Sequence, residues 1–238
     1  MLVASLAGIG LVVGIALDAL IARLGVPPVD GEDETEEQRN PGAAAPMFAE
    51  ERGSLVVASE GVHWQRRLAV MATTAGLFGL AAARFDELAH VAIVATYASV
   101  LMVCAGTDLL SYRVPNVITY PAIAGAIVIG ALMPDANMWE VLAGGGLAGG
   151  ILLVPSLLTG GMGMGMGDVK LAAFVGLAIG FTNAAPAMLI MALGGGAVAA
   201  FLLATGLRSK GEPIPYAPFI SAGGLVVLLW QGTAFANL

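Results

Sequence analysis

Charge is scarce in this chain, and cysteine scarcer. Asp, Glu, Lys and Arg make up 11% of the 238 residues and hydrophobic residues 58%, whereas a soluble domain carries roughly a quarter charged residues. That balance excludes a water-soluble globular surface and reads as an integral membrane protein. The single cysteine, Cys104, excludes an intrachain disulfide and a cysteine-based zinc site and leaves the redox compartment unread. His63 and His90 are isolated from any ligand cluster, so they are assigned to interfacial positions and no metal is expected. Also missing are a His-Glu-x-x-His helix, a Ser/His pair in a suitable context and a Walker lysine loop. Net charge is −7, yet Asp30, Glu32, Asp33, Glu34, Glu36, Glu37, Glu50, Glu51 and Glu60 fall in one segment. The acidity therefore says nothing about nucleic acid, which is not expected as a partner.

Present instead are long apolar runs. A membrane helix needs about 20 apolar residues, fewer where neighbours cover its ends. Eight stretches qualify, at 2–22, 67–84, 88–107, 115–133, 139–159, 169–182, 186–206 and 216–236, the sixth being short. The expected fold is an all-α polytopic membrane protein of about eight transmembrane helices. Met1–Ala22 has no basic leader region and no small-residue cleavage pattern, so it reads as a retained helix.

Three parts follow: a first helix in 1–24, a linker in 25–66 and a membrane-embedded domain in 67–238. The linker is acidic and rich in Pro and Ala, a composition expected to stay largely disordered. From Leu55 to Leu68 it turns partly amphipathic, with Trp64 beside Arg66 and Arg67, as at an entry into the headgroup region. Short basic loops stay on the cytoplasmic side. With the amino terminus outside, every basic residue but Arg84 falls on inner loops. The same topology brings the turn at Asp108 and the segment Gly160–Asp168 to the inner face.

Those two segments hold the chemistry. Gly160–Lys170 reads Gly-Gly-Met-Gly-Met-Gly-Met-Gly-Asp-Val-Lys, too glycine-rich for a helix interior and read as a loop or re-entrant turn whose glycines can take φ > 0. An aspartate at membrane depth is a functional candidate by default; the plainer reading is a helix cap. Asp108 begins Asp-Leu-Leu-Ser-Tyr-Arg-Val-Pro-Asn, after which Pro115 can occupy the first turn of the next helix. Two carboxylates in a partly desolvated site cannot both ionise easily, so one holds a proton while the other stays charged. That is the arrangement of aspartic proteases: the charged partner takes a proton from the attacking water and the neutral one donates to the carbonyl or leaving amine.

Gly165-Met166-Gly167-Asp168-Val169-Lys170 resembles the Gly-x-Gly-Asp signature of intramembrane aspartyl proteases, and the prepilin peptidase (type IV leader peptidase) family in particular. Val114-Pro115-Asn116 after Asp108 is similar to that family's Ile/Val-Pro-Asn element. Ile214-Pro215-Tyr216-Ala217-Pro218-Phe219 resembles its Ile-Pro-x-Gly-Pro-Phe segment, with Ala217 at the usual Gly. The resemblance covers about 88–236 and implies Asp108 and Asp168 as catalytic residues. It further implies a multi-pass protein of the prokaryotic plasma (inner) membrane, with its site on the cytoplasmic side. The implied substrate is a type IV prepilin or pseudopilin, a transmembrane helix with a short basic leader. No cofactor is implied. Bifunctional members carry paired Cys-x-x-Cys motifs and an N-methyltransferase activity. This chain has no such pair, so a short form without methyl transfer is expected. Asp18, within Gly14–Leu24, stands where the family's amino-terminal element has Asn.

Supporting roles fall to Pro115, Asn116, Met164, Gly165, Met166, Gly167, Lys170, Pro215 and Pro218. Lys170 can stabilise an anionic Asp168, meet an acidic substrate side chain, or simply obey the positive-inside bias; Arg113 is equally ambiguous. Met162, Met164 and Met166 can line an adaptable groove or contact the membrane surface. Cys104, one turn before Asp108, reads as packing. Two other readings use the same residues: a cation or proton-coupled transporter with a broken helix, and an inactive structural subunit of a pilus assembly.

Overall fold

In hydrocarbon a backbone must satisfy its own hydrogen bonds, which restricts a chain with no alternating strand pattern to helices. The computed structural model describes residues 2–25, 49–133, 136–158, 164–207 and 214–234, and among them the fold is all-α. Its elements are α1 (Leu2–Leu24), α2 (Ala49–Arg84), α3 (Leu88–Ser111), α4 (Asn116–Leu132), α5 (Met138–Leu158), α6 (Met166–Ile179), α7 (Phe181–Ala204) and α8 (Ala217–Gln231). Four of them, α1, α3, α5 and α7, are long and apolar enough to cross a membrane.

The shortest helix is the innermost. At 14 residues, α6 spans about 21 Å, well short of the roughly 30 Å hydrocarbon core. It is nevertheless buried almost all round, from Val169 and Leu171 through Phe174 to Ile179. From Val169 on it is surrounded by protein, so mismatch with the bilayer costs it little. Glycine makes this packing possible where α5 crosses α6. A Cβ on Gly144 would strike the carbonyl oxygen of Gly176, and one on Gly176 would strike that of Gly144. The two backbones therefore touch, as small residues permit in membranes. Opposite α5, α3 and α8 close the core. Tyr97 of α3 meets Phe174 of α6 edge-on, with centroids 5.4 Å apart. The buried Ser221 hydroxyl of α8 donates to the Leu101 carbonyl of α3 at 3.1 Å.

Because the helices alternate, the ends of α3 and α5 and the starts of α4, α6 and α8 share one end of the bundle. At the other end the Glu140 carboxylate accepts the Thr182 N–H at 3.0 Å. There too the Arg84 guanidinium donates to the Trp230 carbonyl at 3.0 Å.

Several sequence expectations need correcting. Helix α2 starts at Ala49, inside the segment expected as unstructured linker. Residues 49–66 contain enough Ala, Glu, Arg, Leu and Gln to favour a helix there. The rest of that linker, 26–48, lies outside the described residues. Arg66 also has a partner that the sequence did not suggest: its Nε donates to Asp18 Oδ1 at 2.8 Å, pairing α1 with α2. Pro115 is the N-cap of α4 rather than a residue of its first turn. The seventh helix starts at Phe181, with Pro186 inside it, rather than at Pro186.

Candidate active site

Asp108 lies in the last turn of α3, 5% exposed. The helix continues one turn past the apolar run and closes at Tyr112, whose N–H donates to the Asp108 carbonyl at 2.8 Å. The Asp108 side chain turns inward, where its Oδ2 accepts the backbone N–H of Ala217 at 3.0 Å. Ala217 is the first residue of α8, so this N–H is one of the four that a helix start leaves unpaired. The segment Ile214–Phe219 thus acts on Asp108 directly.

Asp168 is not in a loop. Helix α6 starts at Met166, with Gly165 as N-cap, and Asp168 occupies its first turn. The Asp168 carboxylate is hydrogen-bonded to the Gly165 backbone and lies within electrostatic reach of Asp108. Neither Gly165 nor Gly167 has positive φ; three tolerant residues after the N-cap suffice to nucleate a helix that the bundle then holds. Gly167 serves closeness instead, since a Cβ there would lie 2.9 Å from the Val114 Cβ. This contact joins the turn after Asp108 to the turn that carries Asp168. Residues 159–163, including Met162, lie outside the described residues.

One cleft of about 280 Å³ contains both carboxylates. Its walls are Asp108, Tyr112, Arg113, Val114, Asn116, Gly165, Met166, Gly167, Asp168 and Lys170. Of the supporting residues named from sequence, Asn116, Gly165, Met166, Gly167 and Lys170 are therefore gathered at the aspartates. Pro115, Met164, Pro215 and Pro218 do not line the cleft. Pro115 caps α4, and Pro218 sits in the first turn of α8. The Met164 carbonyl accepts the Ser156 hydroxyl at 3.0 Å, which ties the end of α5 to the approach to α6. Lys170 reaches across to α4, where its Nζ donates to Asn116 Oδ1 at 2.9 Å and lies 4.7 Å from the Tyr120 ring centroid. Cys104 is fully buried, as a packing residue would be. Sequence reasoning missed Tyr112 as a cleft wall and Tyr120 as a partner, and it named Val114 and Ala217 only as members of motifs. No local pattern marks these roles, because each is played through an element distant in sequence or through the backbone.

Among the described residues no group of three or more His, Cys, Asp or Glu side chains is gathered as a metal site would need. What the cleft offers is two carboxylates, one in the last turn of α3 and one in the first turn of α6, a lysine held by neutral partners, and apolar walls from Val114 and Met166. Such a set can pass a proton between two acids beside a bound amide.

Fold and cleft thus define an all-helical membrane protein with a paired-aspartate site at one end of its bundle. Residues 95–205, just under half of the chain, match the Type IV leader peptidase family. Both aspartates lie inside the match; Ile214–Phe219 lies beyond it. The chain is 32% identical over 161 residues to the prepilin leader peptidase/N-methyltransferase of Bacillus subtilis (strain 168), covering 66% of this chain and 63% of that protein. The protein of the same name from Aeromonas hydrophila is 29% identical over 136 residues, 55% of this chain and 47% of its own length. The one from Burkholderia pseudomallei (strain K96243) is 30% identical over 146 residues, 57% of this chain and 45% of its own. The chain therefore spans about half to nearly two thirds of these relatives. No solved structure matches it.

Proposed function

We propose that the protein is an intramembrane aspartic endopeptidase that removes the leader from type IV prepilins or pseudopilins. The observation that carries the reading is the meeting of Asp108 and Asp168 in one cleft, inside the segment that matches the leader peptidase family. The ionised aspartate takes a proton from water as it attacks the scissile carbonyl. Its protonated partner donates to the carbonyl oxygen, and the proton bookkeeping reverses as the amine leaves. The substrate presents a short basic leader ahead of a hydrophobic helix, which unwinds at the cut so that its carbonyl is exposed.

Further parts of the reading concern placement. All eight helices cross or enter the plasma membrane, with the amino terminus outside and the cleft at the cytoplasmic face. The bias of Arg and Lys supports this, since Arg113 and Lys170 stand at the cleft end and Arg84 at the other. The product serves pilus biogenesis or type II secretion. Methyl transfer is absent: the relatives are named as bifunctional, but Cys104 is the sole cysteine, so paired cysteine motifs cannot form.

The test is to incubate the detergent-solubilised full chain with a prepilin and S-adenosylmethionine carrying a labelled methyl group. A shortened, unlabelled pilin is the expected product. Ion transport by the reconstituted chain without any cleavage would overturn the proteolytic reading, and label on the new amino terminus would overturn the claim about methylation.

A further inference from the structure

Tyr112 occupies a position that suits another residue. Its φ is 52° and its ψ 35°, the left-handed conformation that commonly closes a helix, where glycine is the usual occupant. Among the described residues Tyr112 is the one non-glycine with positive φ. An L side chain, above all a bulky one, is disfavoured there. Glycine would form the same closing bond, the N–H to the Asp108 carbonyl, without that penalty. The turn itself therefore gives no reason for a tyrosine.

The ring's position supplies one. Tyr112 is 45% exposed and forms part of the cleft wall that also contains Asp108, Val114, Met166 and Asp168. Strained residues that persist at a cleft point to function when an outlier is actually observed. The left-handed turn sets where this ring stands relative to Asp108, and the next two residues bring Val114 against Gly167 at the start of α6. Tyr112, Val114 and Met166 thus line the cleft beside the two carboxylates.

We infer that Tyr112 is a specificity-determining residue, whose ring face packs against an apolar side chain of the substrate next to the scissile bond. The inference rests on the proteolytic reading above. An aromatic ring suits the task because it offers a large, stiff contact area with few rotatable bonds.

The experiment compares Tyr112→Gly, Tyr112→Asn and Tyr112→Phe in the full-length protein. Gly and Asn both accept the left-handed turn, so folding is retained while the ring is lost. Each variant is assayed on a prepilin with an apolar residue flanking the cut and on one with serine there. Wild type and Tyr112→Phe are expected to prefer the apolar substrate. Tyr112→Gly and Tyr112→Asn are expected to raise KM for it about tenfold, to leave kcat within about threefold, and to lose the preference. Unaltered KM and preference in Tyr112→Gly, beside a wild type that cleaves, would overturn this inference alone. A Tyr112→Phe variant as impaired as Tyr112→Gly would also overturn it, by showing that the hydroxyl rather than the ring face matters. A wild type that cleaves no prepilin would remove the proteolytic reading and this inference together.

Discussion

The Ala217 N–H donates to Asp108 Oδ2 at 3.0 Å across 109 positions of sequence. It couples the end of α3 to the start of α8 and orients one of the two cleft carboxylates. A hydrogen bond to a charged group is worth about 1.5–3 kcal/mol. Ala217→Pro removes the donor at the first residue of α8, where it also disfavours the helical backbone of Tyr216 (φ −94°, ψ −27°), so melting curves accompany the assay; Ala217→Gly keeps the donor. Cleavage of a prepilin is expected to fall about tenfold or more in the proline variant and to stay near wild type in the glycine one. Equal turnover in both would make this bond incidental.

Asp108→Asn and Asp168→Asn should each abolish proteolysis while the protein stays folded in detergent. The amide keeps the shape, and at Asp108 it still accepts the Ala217 N–H, but it cannot act as base or pass a proton. Asp108→Glu should lose roughly 10²-fold, since an added methylene moves the carboxylate by about 1 Å. Gel assay of pilin cleavage, with melting curves as the folding control, checks all three; substantial turnover by either asparagine variant would end the two-aspartate mechanism.

The two glycines of the signature are expected to respond differently. At Gly167 a Cβ meets the Val114 Cβ at 2.9 Å, whereas at Gly165 the nearest atom beyond its neighbours is Asp168 Oδ2 at 3.5 Å. Gly167→Ala should therefore cut turnover by pushing the Asp108 and Asp168 turns apart, at an overpacking cost of about 1–3 kcal/mol. Gly165→Ala should be mild. Turnover and melting temperature of the two variants side by side give the answer, and the reverse order would contradict it.

Arg66 and Asp18 join α1 to α2 in a pair whose side chains are 21% and 11% exposed. Removing the cation leaves a nearly buried carboxylate unpaired, so Arg66→Ala should destabilise by about 1–3 kcal/mol, the partial exposure moderating the loss. Adding Asp18→Asn should restore part of it. Denaturation of the three variants in one detergent measures the coupling; strict additivity would mean that the pair contributes nothing.

How far the sequence could be read differs by element. The eight helices were legible because each is a continuous apolar run, and Asp108 and Asp168 because a carboxylate interrupts such a run. The loop expected at Gly160–Asp168 was misjudged at its end: glycine content argued against a helix, yet Met166–Ile179 is helical. Intrinsic propensity is worth at most about 1 kcal/mol per glycine, and burial of α6 on every side outweighs it.

Composition and the long continuous apolar runs determined that this is a helical membrane chain, because so few charges leave no other solvent and runs without strand alternation leave no other backbone solution. Carboxylates at the edges of apolar runs singled out the two aspartates, and the resemblance to the leader peptidase family singled out the three motifs around them. Only the tertiary structure decided what those motifs do to one another. It put the start of α8 against Asp108, Val114 against Gly167, and Lys170 against Asn116 and Tyr120. Each of these contacts joins helices through a single atom pair or a backbone N–H. Such contacts depend on how helices cross, which periodicity along one helix does not encode.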